Sequence, residues 1–172
     1  DGLYIVGRPI YNDSRGFFRE IYQSQELKKL AGIDFKPVQF NHSLSLPNVI
    51  RGIHAENWNK LAYPTNGKVF IAIVDIRPDS PTFAKVETFV IDDANRHGLF
   101  VSKGLANSVC NMGNEPVNYL YVVDAYYDGT DTWAIAWDDP DLKINWPVKD
   151  PIISDRDKAN PKLRDMFPEK FK

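Results

Sequence analysis

The chain has 172 residues, 43% apolar and 13% aromatic, which is enough to bury one substantial core and too little for two, so residues 1–172 are expected to form a single domain. Its formal net charge of -2 is made of interspersed signs, leaving no basic stripe to neutralise a nucleic-acid backbone. The lone Cys110 excludes an intrachain disulfide, no apolar run reaches the roughly 18 residues of a membrane span, and the start does not read as a signal peptide, so a soluble protein of the reducing cytoplasm is expected.

One helix stands out early. Ser24 is the expected N-cap, Leu27, Leu30 and Ala31 form a short apolar stripe, and Gly32 can end it in a left-handed conformation. Most of the chain from there to Trp137 reads as strand: Val69 to Ile76, Lys85 to Ile91, Leu99 to Ser102, Tyr119 to Ala125 and Thr132 to Trp137 are rich in β-branched and aromatic residues. Turn chemistry separates them, in Asn12-Asp13-Ser14, Thr65-Asn66-Gly67, Pro78-Asp79-Ser80-Pro81, Asn111-Met112-Gly113-Asn114 and Asp128-Gly129. Short strands without alternating helices imply an all-β sandwich or barrel. After Pro140 the chain turns charged and proline-interrupted, so residues 140–172 are expected to wrap the barrel as loops and short helices.

Proton transfer near neutral pH is the province of histidine, and the chain has three: His42, His54 and His97. His54 has the most informative neighbours, because Arg51 precedes it by three. On a regular strand that spacing puts the two side chains on opposite faces. Gly52 and an irregular backbone would have to bring them into one pocket. A metal site is the competing use of these residues, but His54 and Glu56 supply two ligands where a catalytic zinc expects about three, so no metal and no other cofactor is expected. Ser108 near Cys110 lacks a glycine elbow, and no glycine-rich phosphate loop comes after a strand. Tyr119, Tyr121 and Tyr127 share one face of a strand with Tyr126 opposite, either as barrel filling or with one phenol as a proton donor.

Several segments read in order resemble the dTDP-4-dehydrorhamnose 3,5-epimerase family. They are Asp13-Ser14-Arg15-Gly16-Phe17-Phe18-Arg19-Glu20, Gln39-Phe40-Asn41-His42-Ser43, Arg51-Gly52-Ile53-His54, Val74-Asp75-Ile76-Arg77 leading to Ser80-Pro81-Thr82-Phe83, Ala136-Trp137-Asp138-Asp139-Pro140 and Ile153-Ser154-Asp155-Arg156-Asp157. The resemblance implies a cupin jelly roll working as a homodimer on a dTDP-linked 4-keto-6-deoxyhexose. It implies His54 as the general base, Asp157 as the carboxylate that orients it, Tyr121 as the proton donor on the other sugar face, and Lys60 at the ketone oxygen where charge develops. Arg15, Gln39, Asn41 and Arg51 resemble positions that hold the diphosphate and nucleoside, and Tyr127 and Arg156 join them as substrate-binding positions. Phe17 and Glu20 resemble residues that meet the thymine from the neighbouring subunit.

The departures from the family pattern are specific. Where typical members continue from the histidine with Tyr-Gln and a longer loop to the lysine, this chain reads His54-Ala55-Glu56-Asn57-Trp58-Asn59-Lys60. Asn107 stands where a second histidine is usual; an amide can donate a hydrogen bond to an enolate oxygen but cannot carry a proton. The chain is similar in this to the N-terminal half of bifunctional epimerase-reductase proteins, which implies a reductase as attached domain or partner. Inversion of both C3 and C5 is the leading expectation. The alternatives are C3-only epimerisation or keto-isomerisation of a related nucleotide sugar, and a non-catalytic cupin that only binds one.

Overall fold

The computed structural model describes residues 1–129 and 133–172. Two five-stranded antiparallel sheets face each other. The first carries, in spatial order, β1 (Leu3–Val6), β9 (Gly98–Val101), β6 (Lys60–Pro64), β11 (Val117–Val123) and β4 (Gln39–Ser45). The second carries β12 (Trp133–Ala134), β5 (Ile50–Ala55), β10 (Leu105–Asn111), β7 (Val69–Asp75) and β8 (Val86–Ile91). A separate hairpin pairs β2 (Tyr11–Asp13) with β3 (Gly16–Phe18). The architecture is a cupin jelly roll.

The strands alternate as a two-layer fold requires, but both faces of much of the sandwich are covered. On β7, Val69, Ile71 and Ile73 enter the core between the sheets, while Val74 and the following Ile76 pack outward against Leu142, Leu163 and Phe167 of the C-terminal segment. That is why the run Val69 to Ile76 is almost continuously apolar, as strands buried on both faces are. The segment after Pro140 adds α2 (Asp155–Lys158), α3 (Leu163–Met166) and a 3-10 turn at Pro168–Lys170. It is pinned by a bridge between Val49 and Ile152 and by the Asp139 carboxylate accepting from the Leu163 N–H at 2.6 Å.

On the other sheet, Phe35, Leu61, Tyr63, Phe100 and Val122 form a second outer cluster under α1 (Ser24–Ala31). Gly32 ends this helix at φ +70, as expected. Its start differs: Gln23 is the N-cap residue without a side-chain cap, and Ser24 is already helical. Only Leu27 of the expected stripe packs on the sheet; Leu30 is 81% exposed. The expected strands are present with ends shifted by one or two residues, except that the last, among the described residues, spans Trp133–Ala134 and stops short of Trp137. Thr132, where that strand is expected to begin, lies outside the described residues.

Candidate active site

Side chains from both sheets and from the α2 segment line a cavity of about 650 Å³, within the range of small-molecule sites. The first sheet contributes by simple alternation. Gln39, Asn41 and Ser43 on β4 and Tyr119 and Tyr121 on β11 point in, while Phe40, His42 and Leu44 point out and are exposed. Tyr127, just past β11, also lines the cavity, and Tyr126 is 73% exposed outside it.

The second sheet contributes through an irregularity. Arg51 and His54 both line the cavity although they are three residues apart on β5. Opposite them on β10, His54 pairs with Asn107 and Arg51 with Val109, so three steps on β5 match two on β10. The extra residue is a β-bulge that turns Arg51 and His54 to the same side. Gly52 carries it at φ +113. A Cβ there would lie 2.7 Å from the Asn107 carbonyl oxygen and 2.9 Å from Ser108 Cα, so the bulge requires glycine both for its conformation and for the close approach of β10.

The His54 Nε2 lies 2.6 Å from Asp157 Oδ1. Since an ionised carboxylate only accepts, Nε2 carries the proton and Nδ1 keeps the lone pair needed by a base. Asp157 is itself held: its Oδ2 accepts from the Gly52 N–H at 3.2 Å, and its own N–H donates to Ser154 Oγ, which caps α2, at 3.1 Å. Burial pushes the Asp157 carboxyl upward, but the hydrogen bond and charge of His54 and the bond from Gly52 outweigh it and the net shift is downward. Asp157, 4% exposed, therefore stays ionised behind the imidazole.

Facing this pair, Lys60 on β6 is 6% exposed and donates to Asn107 Oδ1 at 2.6 Å and to Glu56 Oε2 at 2.9 Å. Its Nζ sits 5.1 Å from the Tyr121 ring centroid. Burial, reinforced by the Glu56 charge and opposed by Arg51, raises the Tyr121 phenol, so it keeps its proton at neutral pH. The imidazole thus stands on one sheet and the neutral phenol on the other, with the lysine reaching across to Asn107. Arg51 donates to Ser45 Oγ at 2.9 Å and to the Leu44 carbonyl at 2.8 Å, and Arg156 lines the cavity beside Asp157.

Three expected residues lie elsewhere on the chain. Arg15 is bound to Asp13 at 2.5 Å, Phe17 lies under the Arg96 guanidinium at 4.2 Å, and Glu20 pairs with Arg8 at 2.7 Å. None lines the cavity of its own chain. Conversely, Glu56 and Trp58 line it although neither residue type nor family resemblance marks them as substrate-facing. A signal for them exists in the spacing: His54, Glu56, Trp58 and Lys60 all line the cavity while Ala55, Asn57 and Asn59 do not, a period of two carried through the turn. Glu56 is committed to Lys60, not to His54. Among the described residues no three His, Cys, Asp or Glu side chains converge to share a metal, and no helix is long and apolar enough to cross a membrane.

This geometry, a carboxylate-held imidazole opposite a protonated phenol with a buried cation between the sheets, is that of an enzyme that moves protons on and off carbon. The family model for dTDP-4-dehydrorhamnose 3,5-epimerase matches residues 1–165, and the chain belongs to that family, an isomerase family of epimerases. A dTDP-4-dehydrorhamnose 3,5-epimerase from Salmonella typhimurium is 35% identical over 94% of this chain and 90% of its own length. Among solved structures, the Legionella pneumophila enzyme in complex with dTDP-4-keto-L-rhamnose has a TM-score of 0.91 at 32% identity, covering 98% of this chain and 92% of that one. A 3'-monoepimerase from Streptomyces bikiniensis in complex with dTDP-quinovose has a TM-score of 0.90 at 26% identity, covering 99% and 87%.

Proposed function

We propose that this protein inverts C3 and C5 of dTDP-4-dehydro-6-deoxyglucose through enolates, on the route to dTDP-rhamnose. The observation that carries the reading is the His54–Asp157 pair on one sheet opposite Tyr121 on the other. The C4 ketone makes the hydrogens on C3 and C5 acidic, because the electrons left behind move onto the ketone oxygen. His54 Nδ1 takes the proton from one face, and Asp157 stabilises the imidazolium that results. The Lys60 ammonium, anchored by Asn107, lies where it can meet the developing oxyanion. Tyr121 then donates its proton to the same carbon from the opposite face, which inverts it. The phenolate recovers a proton from water and the imidazolium releases one, so the enzyme returns to its starting state.

Arg51 and Arg156 suit the diphosphate, since a guanidinium binds phosphate oxygens bidentately. Gln39 and Asn41 form a relay with Tyr127: its N–H donates to Gln39 Oε1 at 3.0 Å, and Gln39 Nε2 donates to Asn41 Oδ1 at 2.9 Å. The chain works as a homodimer in this reading. Arg15, Phe17 and Glu20 sit around an exposed hairpin outside their own cavity, beside the exposed apolar residues Tyr11 and Phe18. In a dimer this arm meets the thymine of the neighbouring site. The product retains its C4 ketone, so a reductase, attached or separate, is the partner that consumes it. The buried free thiol of Cys110 fits a reducing cytoplasm.

A narrower reading, inversion at C3 alone, is favoured by one observation. Asn107 cannot relay a proton and is held by Lys60. Incubating the 4-keto sugar in deuterated water decides between them. Deuterium at both C3 and C5 with two inversions is expected; deuterium at C3 only selects the narrower reading, and deuterium at neither carbon refutes epimerase chemistry.

A further inference from the structure

Among the described residues only two buried side-chain polar atoms have no hydrogen-bond partner: Asn41 Nδ2 and Trp58 Nε1. Both residues line the same cavity. A buried donor without an acceptor is costly, and native structures leave few such groups without a reason. For Asn41 the reason is the relay through Gln39, which consumes its carbonyl oxygen and leaves the amide N–H free for ligand. Trp58 belongs to no relay. It stands in the short connection between His54 and Lys60, the segment in which this chain departs from the pattern of its family. Its ring meets Tyr127 edge-on at 6.3 Å between centroids.

We propose that Trp58 is a specificity-determining residue whose indole N–H donates to an oxygen of the hexose, a hydroxyl or the ketone, and not to the nucleotide. Two considerations assign the hexose end. Trp58 lies four residues after the base and two before the lysine, so the shortness of the connection ties it to the reacting end of the cavity. The donor is neutral, whereas the cavity already offers the guanidinium groups of Arg51 and Arg156 to a diphosphate. An indole beside a phenol also presents an apolar wall to the C–H face of a sugar, while its N–H meets the sugar's oxygen at the edge. Substrate binding thus supplies the acceptor that the folded chain lacks.

The inference rests on the epimerase reading and is tested with Trp58→Phe, which keeps an aromatic wall and removes the N–H. With the dTDP-linked 4-keto sugar, kcat/KM is expected to fall about tenfold, the order of a lost hydrogen bond to a sugar oxygen. Inhibition by dTDP alone should be unchanged. Wild-type kcat/KM in the variant would overturn the inference, as would an equal weakening of dTDP, which would place the contact on the nucleotide. Absence of turnover by the wild-type protein refutes the epimerase reading itself, whereas turnover that Trp58→Phe leaves untouched refutes only the role of Trp58.

Discussion

β11 and β5 face each other across the cavity and deliver their functional side chains in different ways. β11 is regular: it pairs without a break to β4 and β6, and Tyr119 and Tyr121 reach the cavity by alternation alone. β5 is broken by its bulge at Gly52, and that break is what puts Arg51, His54 and the Asp157 contact in one place. Regular pairing places a residue to within the pleat of a sheet. A bulge re-aims side chains that the pleat would have separated, and here it also points the Gly52 N–H at the carboxylate that holds the His54 imidazole.

The largest effects are expected on the bulged side. His54→Ala should lower kcat by about 10⁴-fold and Asp157→Asn by about 10²-fold or more, in the range of removing a general acid-base group and its orienting partner. Deuterium wash-in should disappear with His54→Ala, since no base remains to break the C–H bond. Gly52→Ala attacks the same geometry through the backbone. With φ at +113 and β10 in the way of a Cβ, it should cost about 3 kcal/mol from strain and steric overlap. For a chain of this size that is about 6–12 °C in melting temperature. Activity should fall further than stability explains, because relaxing the bulge separates Arg51 from His54. A Gly52→Ala protein with unchanged melting temperature and turnover would remove the distinction between the two strands.

On the regular side the expected change is one of outcome. Tyr121→Phe leaves the strand and the base intact, so His54 should still remove the proton while delivery from the opposite face fails. Deuterium exchange by NMR should continue at an appreciable rate while inversion falls by about 10²-fold. If exchange and inversion fell together, the phenol would be needed for proton removal as well, and the assignment of one proton step to each sheet would be wrong.

The same contrast explains what the sequence could reveal. The tyrosines of β11 and the apolar run of β7 are legible because their patterns match a strand. β4 is not legible as a strand, because its pattern is inverted: Gln39, Asn41 and Ser43 face inward to the cavity, while Phe40 and Leu44 are exposed. β10 hides for a similar reason, with Asn107, Ser108 and Asn111 buried in a strand that composition reads as polar. For Arg51 and His54, spacing predicts opposite faces and names Gly52 as the way out, but only the pairing with β10 shows the extra residue. Asp157 is farther still, 103 positions from His54, and only the family resemblance points to it. Glu56 and Trp58 are readable by period two from His54 to Lys60, a signal masked by the turn that interrupts the strands there.

The smallest expected effect separates the site carboxylate from a purely structural one. Asp75, at the end of β7, is pushed upward by burial but drawn down, to a net fall well below the usual range, by Arg77 and the hydroxyls of Ser80 and Thr82. Asp157 is drawn down by His54 and Gly52 against its own burial. For both, the folded pKa lies below the unfolded value of about 3.9. Each therefore contributes stability that is present above that value and is lost as pH falls through the folded one. In acid titrations of the melting temperature, Asp157→Asn and Asp75→Asn should each flatten the fall below about pH 4 relative to wild type. Only Asp157→Asn should also reduce kcat at neutral pH, since Asp75 does not line the cavity. The two carboxylates have like electrostatics and unlike positions, so a loss of turnover in both variants would mean that the bulged strand has no special claim on the chemistry.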